Sequence, residues 1–131
     1  MKKILFVCIE NSCRSQMAEA FAKITGKGKV VAFSAGSKPS GQINPKAIEA
    51  MKTKRYDLSL HQSKSVEEYR ELLFDYVITM GCGDACPHIP ANHREEWNIP
   101  DPKNMEIRDW IKVRDLIEEK VNQLIEKIYA Y

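Results

Sequence analysis

The chain carries almost no excess of charge. Its 20 Lys and Arg stand against 18 Asp and Glu, a formal net charge of +2, and the bases are mixed among the acids. That balance excludes the basic footprint by which nucleic acids and anionic membrane surfaces are bound, so neither is expected as a partner. Long apolar runs are also missing. Met1-Lys2-Lys3 followed by Ile4-Leu5-Phe6-Val7 begins like a signal peptide, but the run stops at Glu10-Asn11. A signal core needs roughly 7–15 apolar residues and a membrane span about 20. A cytoplasmic monomer is the expectation. Cysteine is scarce, with four in the chain. In a reducing compartment such residues serve catalysis, redox chemistry or metal binding more often than a disulfide framework. No internal repeat, low-complexity tract or linker breaks the sequence, and residues 1–131 are read as one domain.

What remains is an ordinary globular composition, 44% hydrophobic and 29% charged over 131 residues, long enough for one core without metal or disulfide staples. Ile4-Leu5-Phe6-Val7 predicts a strand, and Met17, Phe21 and Ile24 recur at helical spacing after it. A turn at Gly26-Lys27-Gly28-Lys29 leads to a second strand, Val30 to Gly36. Asn44 caps a helix with Pro45 at its first position, running through Ala47, Ile48 and Met51. Leu58 and Leu60 are expected to point inward from an irregular connection. Ser65-x-x-Glu68 reads as a capping box for a short helix through Tyr69 and Leu73. Phe74 to Met80 is the third strand, and Glu95 to Pro102 holds a short edge strand closed by prolines. A last helix begins near Glu106, its stripe formed by Ile107, Trp110, Ile111, Ile117, Val121, Leu124 and Ile128. This alternation predicts an α/β fold: an open, parallel four-stranded sheet with helices on both faces and ligands beyond the carboxyl ends of the strands.

The first strand-to-helix loop carries chemistry. In Cys8-Ile9-Glu10-Asn11-Ser12-Cys13-Arg14-Ser15 the spacing is Cys-x5-Arg followed by Ser. A cysteine at a strand end is ordinarily a small buried hydrophobe. Between strand and helix, this spacing instead reads as a cradle whose backbone N–H groups, from Ile9 to Ser15, hold a tetrahedral oxyanion at the positive end of the helix. Cys8 lies at its floor, where the helix end and Arg14 favour the thiolate, a nucleophile. Arg14 offers a planar fork of donors to two oxygens of the anion, and Ser15 a hydrogen bond to the sulfur. Cys13 has two readings, a buried thiol lining the cradle or a site of off-pathway oxidation with Cys8.

The other two cysteines lie in Gly81-Cys82-Gly83-Asp84-Ala85-Cys86-Pro87-His88-Ile89-Pro90, a stretch of turn residues. Glycine and alanine between Cys82 and Cys86 let the chain bend until the Cα atoms come within the about 7 Å that a disulfide requires. Thiol–disulfide exchange then has a direction: Cys82 attacks Cys8, and Cys86 attacks Cys82.

The segment Cys8 to Glu19 resembles the low-molecular-weight tyrosine phosphatase superfamily, and Arg14-Ser15-Gln16-Met17-Ala18-Glu19 favours its arsenate reductase branch of the thioredoxin-coupled type. The likeness extends to Phe33-Ser34-Ala35-Gly36, Asn44 to Met51 and Asp101-Pro102. It implies reduction of arsenate to arsenite in arsenic detoxification, with Cys8 as nucleophile, Cys82 and Cys86 as relay, and phosphate or sulfate as competing oxyanions. It also implies Asp101 as the general acid; by itself an Asp-Pro pair reads as a turn. The reductant is thioredoxin, or a glutathione or mycothiol system. No cofactor is expected. Some relatives bind potassium through residues matching Asn11, Glu19 and Ser34 and an acidic residue after His61. Here Gln62-Ser63-Lys64-Ser65 follows, so Lys64 is expected to replace the cation and no metal to be required. His61 and His93 are expected at the surface. Two alternatives use the same residues. A phosphatase would form and hydrolyse a phosphocysteine with Cys8, Arg14 and Asp101, although Lys103-Asn104 stands where such phosphatases usually carry tyrosines. A zinc- or redox-sensing module would hold metal through Cys82, Cys86 and His88.

Overall fold

The computed structural model describes residues 1–81 and 89–129. Four strands form one sheet: β1 (Lys2–Cys8), β2 (Val30–Gly36), β3 (Phe74–Met80) and β4 (Ala91–Trp97), in the order β2-β1-β3-β4. Every neighbouring pair is parallel, with Cys8 opposite Gly36, Val7 opposite Thr79 and Met80 opposite Trp97. All four strands therefore end at one edge of the sheet. The segments that follow them, including the Cys8–Arg14 loop and the approach to Asp101, are gathered there.

β1 can be central because both of its faces are apolar. Ile4 and Phe6 face the helices α1 (Arg14–Thr25), α2 (Pro45–Lys52) and α3 (Ile107–Ile128), packing in one cluster with Met17, Phe21, Met51 and Trp110. Leu5 and Val7 face the other side, with Ala35, Phe74, Val77 and Ile89. That layer is closed by a 3₁₀ helix, Val66–Tyr69, whose Tyr69 ring lies 5.6 Å from Phe33 and 6.0 Å from Phe74. Helical segments thus cover both faces. Among the described residues no helix is long and apolar enough to cross a membrane.

Asn44 caps α2 as its sequence predicts, its side chain accepting from the Lys46 N–H with Pro45 next in line. The Ser65 cap forms too, but it opens only a 3₁₀ turn ending at Tyr69, and Leu73 is exposed. β4 begins at Ala91, ahead of the expected Glu95. Its sequence, Ala-Asn-His-Arg-Glu-Glu-Trp, hides the strand because it forms an edge, where charged side chains face water and discourage further pairing. The stripe of α3 holds at Trp110, Ile117, Val121 and Leu124, joined by Val113 and Ile125, while Ile111 is only half-buried. Ile24 and Ile107, at helix ends, are partly exposed.

Leu58 and Leu60 bracket a 3₁₀ turn and part company. Leu58 is 0% exposed and Leu60 80%, so only the first points inward. Leu58→Ala should therefore cost about 2–5 kcal/mol of unfolding free energy in urea, and Leu60→Ala no more than about 0.5 kcal/mol.

Candidate active site

The loop between β1 and α1 is shaped by where its carbonyls go. The Cys8 carbonyl accepts from Ser37 N–H at 3.2 Å, Ile9 from Lys38 at 2.8 Å, Glu10 from Ser40 at 3.0 Å and Ser12 from Asn44 at 3.0 Å. Each peptide is planar and trans, so a carbonyl turned outward turns the next N–H inward. The N–H groups of Ile9, Glu10, Asn11 and Cys13 are thereby aimed into the cradle at the N-terminus of α1. Asn11 makes the bend with φ of 52°, in the left-handed region. Gly36 lies so close behind that a Cβ there would meet the Ile9 carbonyl and the Asn11 amide, so only glycine fits.

Cys8, buried at the end of β1, has its Sγ 2.9 Å from Ser15 Oγ. Neighbours whose polarity is fixed leave the Ser15 hydroxyl able to donate to the sulfur. The Lys64 backbone N–H donates to Asn11 Oδ1 at 2.7 Å. Asn11 Nδ2 therefore faces Ser15 Oγ, 2.8 Å away, and donates to it. The Ser15 proton is then free to point at the sulfur. Behind Asn11, Gln16 Nε2 donates to the carbonyls of Asn11 at 3.1 Å and Gln62 at 2.8 Å and to Asn11 Oδ1 at 2.8 Å. Gln16 Oε1 is thus left to accept from His61 Nδ1 at 2.9 Å, and His61 Nε2 accepts from the Tyr56 hydroxyl at 2.5 Å. A single donor direction runs from Tyr56 through His61, Gln16, Asn11 and Ser15 to Cys8.

Arg14, 5% exposed, donates from Nη1 to the Ile99 carbonyl at 3.0 Å, and its Nη2 is 3.7 Å from Asp101 Oδ2. Asp101 is half-exposed and accepts from the Lys103 backbone N–H at 3.1 Å, so the expected turn and the candidate acid coincide. Cys8, Glu10, Ser12, Cys13, Arg14 and Asp101 line one small cavity. Gly81, just past the end of β3, lies against Arg14. Its φ is 81°, and a Cβ there would collide with the Arg14 guanidinium. Cys13 is buried, and burial pushes its thiol up to about 11, with Asp101 and Glu10 adding in the same direction. This matches the buried-thiol reading. Cys82, Cys86 and His88, the expected relay and the alternative zinc ligands, lie outside the described residues.

Two expectations are corrected. His61 is not at the surface: its side chain is 6% exposed and serves the relay just described. A lone histidine has no periodic signal to reveal this. His93 is exposed, stacked on Tyr76. Nor does Lys64 stand in for a cation, since its ammonium donates to the Gln62 carbonyl at the surface. The charge on Glu19 is Lys23, 2.6 Å away and one helical turn on, while Ser34 donates to the other carboxylate oxygen at 2.5 Å. With Asn11 Oδ1 and its carbonyl also taken by N–H donors, this oxygen set does not fit an alkali cation. Among the described residues no group of three or more His, Cys, Asp or Glu could hold a metal ion. Lys23 and Tyr56 went unread in the sequence because each looks like an ordinary surface residue there, and Gln16 and Lys103 appear there only as parts of the resemblance, with no role of their own.

A thiol at the floor of an amide-lined cradle, flanked by a buried arginine, is the arrangement that suits a cysteine-based oxyanion site. The model of the low molecular weight phosphotyrosine protein phosphatase family matches residues 3–130, and the chain belongs to that family. It is 39% identical to the glutaredoxin arsenate reductase of Synechocystis sp., covering 98% of this chain and 99% of that one. It is 44% identical to an arsenate reductase of Staphylococcus aureus over 89% of this chain and 91% of the relative. A solved structure of an arsenate reductase in the phosphate binding state superposes with a TM-score of 0.87 at 38% identity, covering 98% and 99% of the two chains.

Burial holds the His61 imidazole below its ordinary value of 6.5, against a smaller opposing pull from Glu19. The folded chain then keeps His61 neutral where the unfolded chain protonates it. Its contribution to stability is full above about pH 6.5 and is lost as the pH falls below. Melting temperatures measured from about pH 8 to about pH 5 should fall on the acid side, less steeply in His61→Gln; equal slopes would remove His61 as the cause.

Proposed function

We propose that this protein reduces arsenate to arsenite, in the service of arsenic detoxification, as a cytoplasmic monomer. The observation that carries the reading is the Cys8 sulfur, met by the Ser15 hydroxyl at 2.9 Å, in a cavity shared with Arg14 and Asp101. Identity of 39% and 44% to arsenate reductases over most of the chain supports arsenate as the oxyanion.

The steps follow from the positions. Arsenate enters the cradle, its oxygens taking the inward N–H groups of residues 9 to 15 and the Arg14 fork. The Cys8 thiolate attacks arsenic(V), and an oxygen leaves as water with a proton from Asp101. The Cys82 thiolate then attacks Cys8 Sγ. The sulfur–arsenic bond breaks with its electron pair on arsenic, which departs as arsenite, and a Cys8–Cys82 disulfide forms. Cys86 attacks Cys82, restoring the Cys8 thiolate and leaving a Cys82–Cys86 disulfide. Thioredoxin, or a glutaredoxin or mycothiol system, reduces that disulfide. Gly81, next in the chain to Cys82, abuts Arg14. Phosphate shares the cradle but not the reduction, so slow hydrolysis of aryl phosphates should accompany the main reaction.

Arsenate-dependent oxidation of NADPH, coupled through thioredoxin and thioredoxin reductase and repeated with glutathione and glutaredoxin, tests both reaction and reductant. Cys8→Ser should abolish turnover with either system, and Asp101→Asn should slow it by about 10²-fold or more. Cys86→Ser should release at most one arsenite per protein and accumulate a Cys8–Cys82 disulfide visible by peptide mass spectrometry. Repeated turnover by Cys86→Ser with thioredoxin would overturn the three-cysteine relay. Aryl phosphate hydrolysis without arsenate reduction would place the protein among the phosphatases.

A further inference from the structure

Besides the pair of Arg14 with Asp101, a second ion pair joins the cradle to the Asp101 loop. Lys103 Nζ is 2.8 Å from Glu10 Oε2. Glu10 is the sole acid between Cys8 and Arg14. Its backbone is pinned away from the cavity, the carbonyl accepting from Ser40 N–H at 3.0 Å and Ser63 Oγ at 3.1 Å. Its carboxylate is 33% exposed and lines the cavity with Cys8, Arg14 and Asp101. A carboxylate at the rim of an anion site opposes the anion it should admit. Lys103 meets that charge directly, and its main-chain N–H also holds Asp101.

We propose that Lys103 is a positioning residue that sets the affinity of the cradle for its oxyanion by neutralising Glu10. The pair adds little to stability, because both side chains are in contact with water and exposed ion pairs contribute little. Its effect is on the incoming ligand. With Lys103 in place the rim is electrically balanced; without it, the Glu10 carboxylate repels a dianion at short range. The inference rests on the reading of the Cys8–Arg14 loop as an oxyanion cradle, so the probe is inorganic phosphate, whose binding needs no reduction.

Calorimetric titration of phosphate into the wild type, Lys103→Met, Glu10→Gln and the double variant separates the outcomes. At low ionic strength Lys103→Met should bind about 3- to 10-fold more weakly, and the loss should shrink toward nothing at about 1 M salt. The double variant, with neither charge, should return to within about twofold of wild type, which a merely structural role for Lys103 would not produce. Exchanging the charges, Glu10→Lys with Lys103→Glu, should likewise bind better than Lys103→Met. Unchanged affinity in Lys103→Met at low salt, or a double variant as weak as the single, would overturn the proposal. Absence of phosphate binding by the wild type would instead overturn the cradle reading beneath it.

Discussion

The orientation of one side-chain amide governs the site. Asn11 Oδ1 is fixed by a main-chain N–H, so its Nδ2 must donate to Ser15, and the Ser15 hydroxyl is left to serve the Cys8 sulfur. Were the amide reversed, the same heavy atoms would place an acceptor against Ser15 and the hydroxyl proton would turn away from sulfur. Gln16 and His61 reinforce the choice from behind, and main-chain carbonyls of Asn11 and Gln62 fix Gln16 in turn. A left-handed residue, costly for most side chains, is tolerated here in an asparagine whose side-chain oxygen and nitrogen both have partners.

That hub works because parallel strands end together. Cys8 and Gly36 are partners in the register, so the chain leaving β2 runs directly behind the chain leaving β1 and supplies the N–H groups of Ser37, Lys38 and Ser40 to its carbonyls. β3 ends beside β1 and delivers Gly81 to Arg14; β4 ends next, and the chain beyond it delivers the Ile99 carbonyl and Asp101. An antiparallel neighbour would send its following loop to the opposite end of the sheet. The site is therefore a property of topology as much as of motif.

Sequence reading succeeded where a residue's role is local. The β-branched and aromatic run Phe74 to Met80 could only be a strand, and Asn44-Pro45 could only begin a helix. Cys8, Arg14 and Asp101 were legible as candidates, the first two from their spacing and the third from family resemblance, and the fold brings all three to one cavity. It failed where the role is set by distant partners. His61 is buried by Gln16, far away in sequence, and Lys23 is an ordinary helix lysine until Glu19 proves to be buried beneath it. β4 escaped because an edge strand carries its charge on the surface, which erases the apolar alternation that would mark it.

The two thiols of the cradle differ in their polar surroundings. Cys8 is 3% exposed and Cys13 5%, and both belong to the same short loop. Their hydrogen-bonding partners differ. Burial raises the Cys13 thiol to about 11, with the Asp101 and Glu10 carboxylates adding to it and the Ser12 hydroxyl at 3.5 Å only partly offsetting it. Cys8 has the Ser15 hydroxyl at 2.9 Å with its proton directed by Asn11, below a ring of inward N–H groups. The same donors that stabilise a thiolate stabilise an oxyanion, so the nucleophile and the bound anion compete for one set of amides until a bond forms between them.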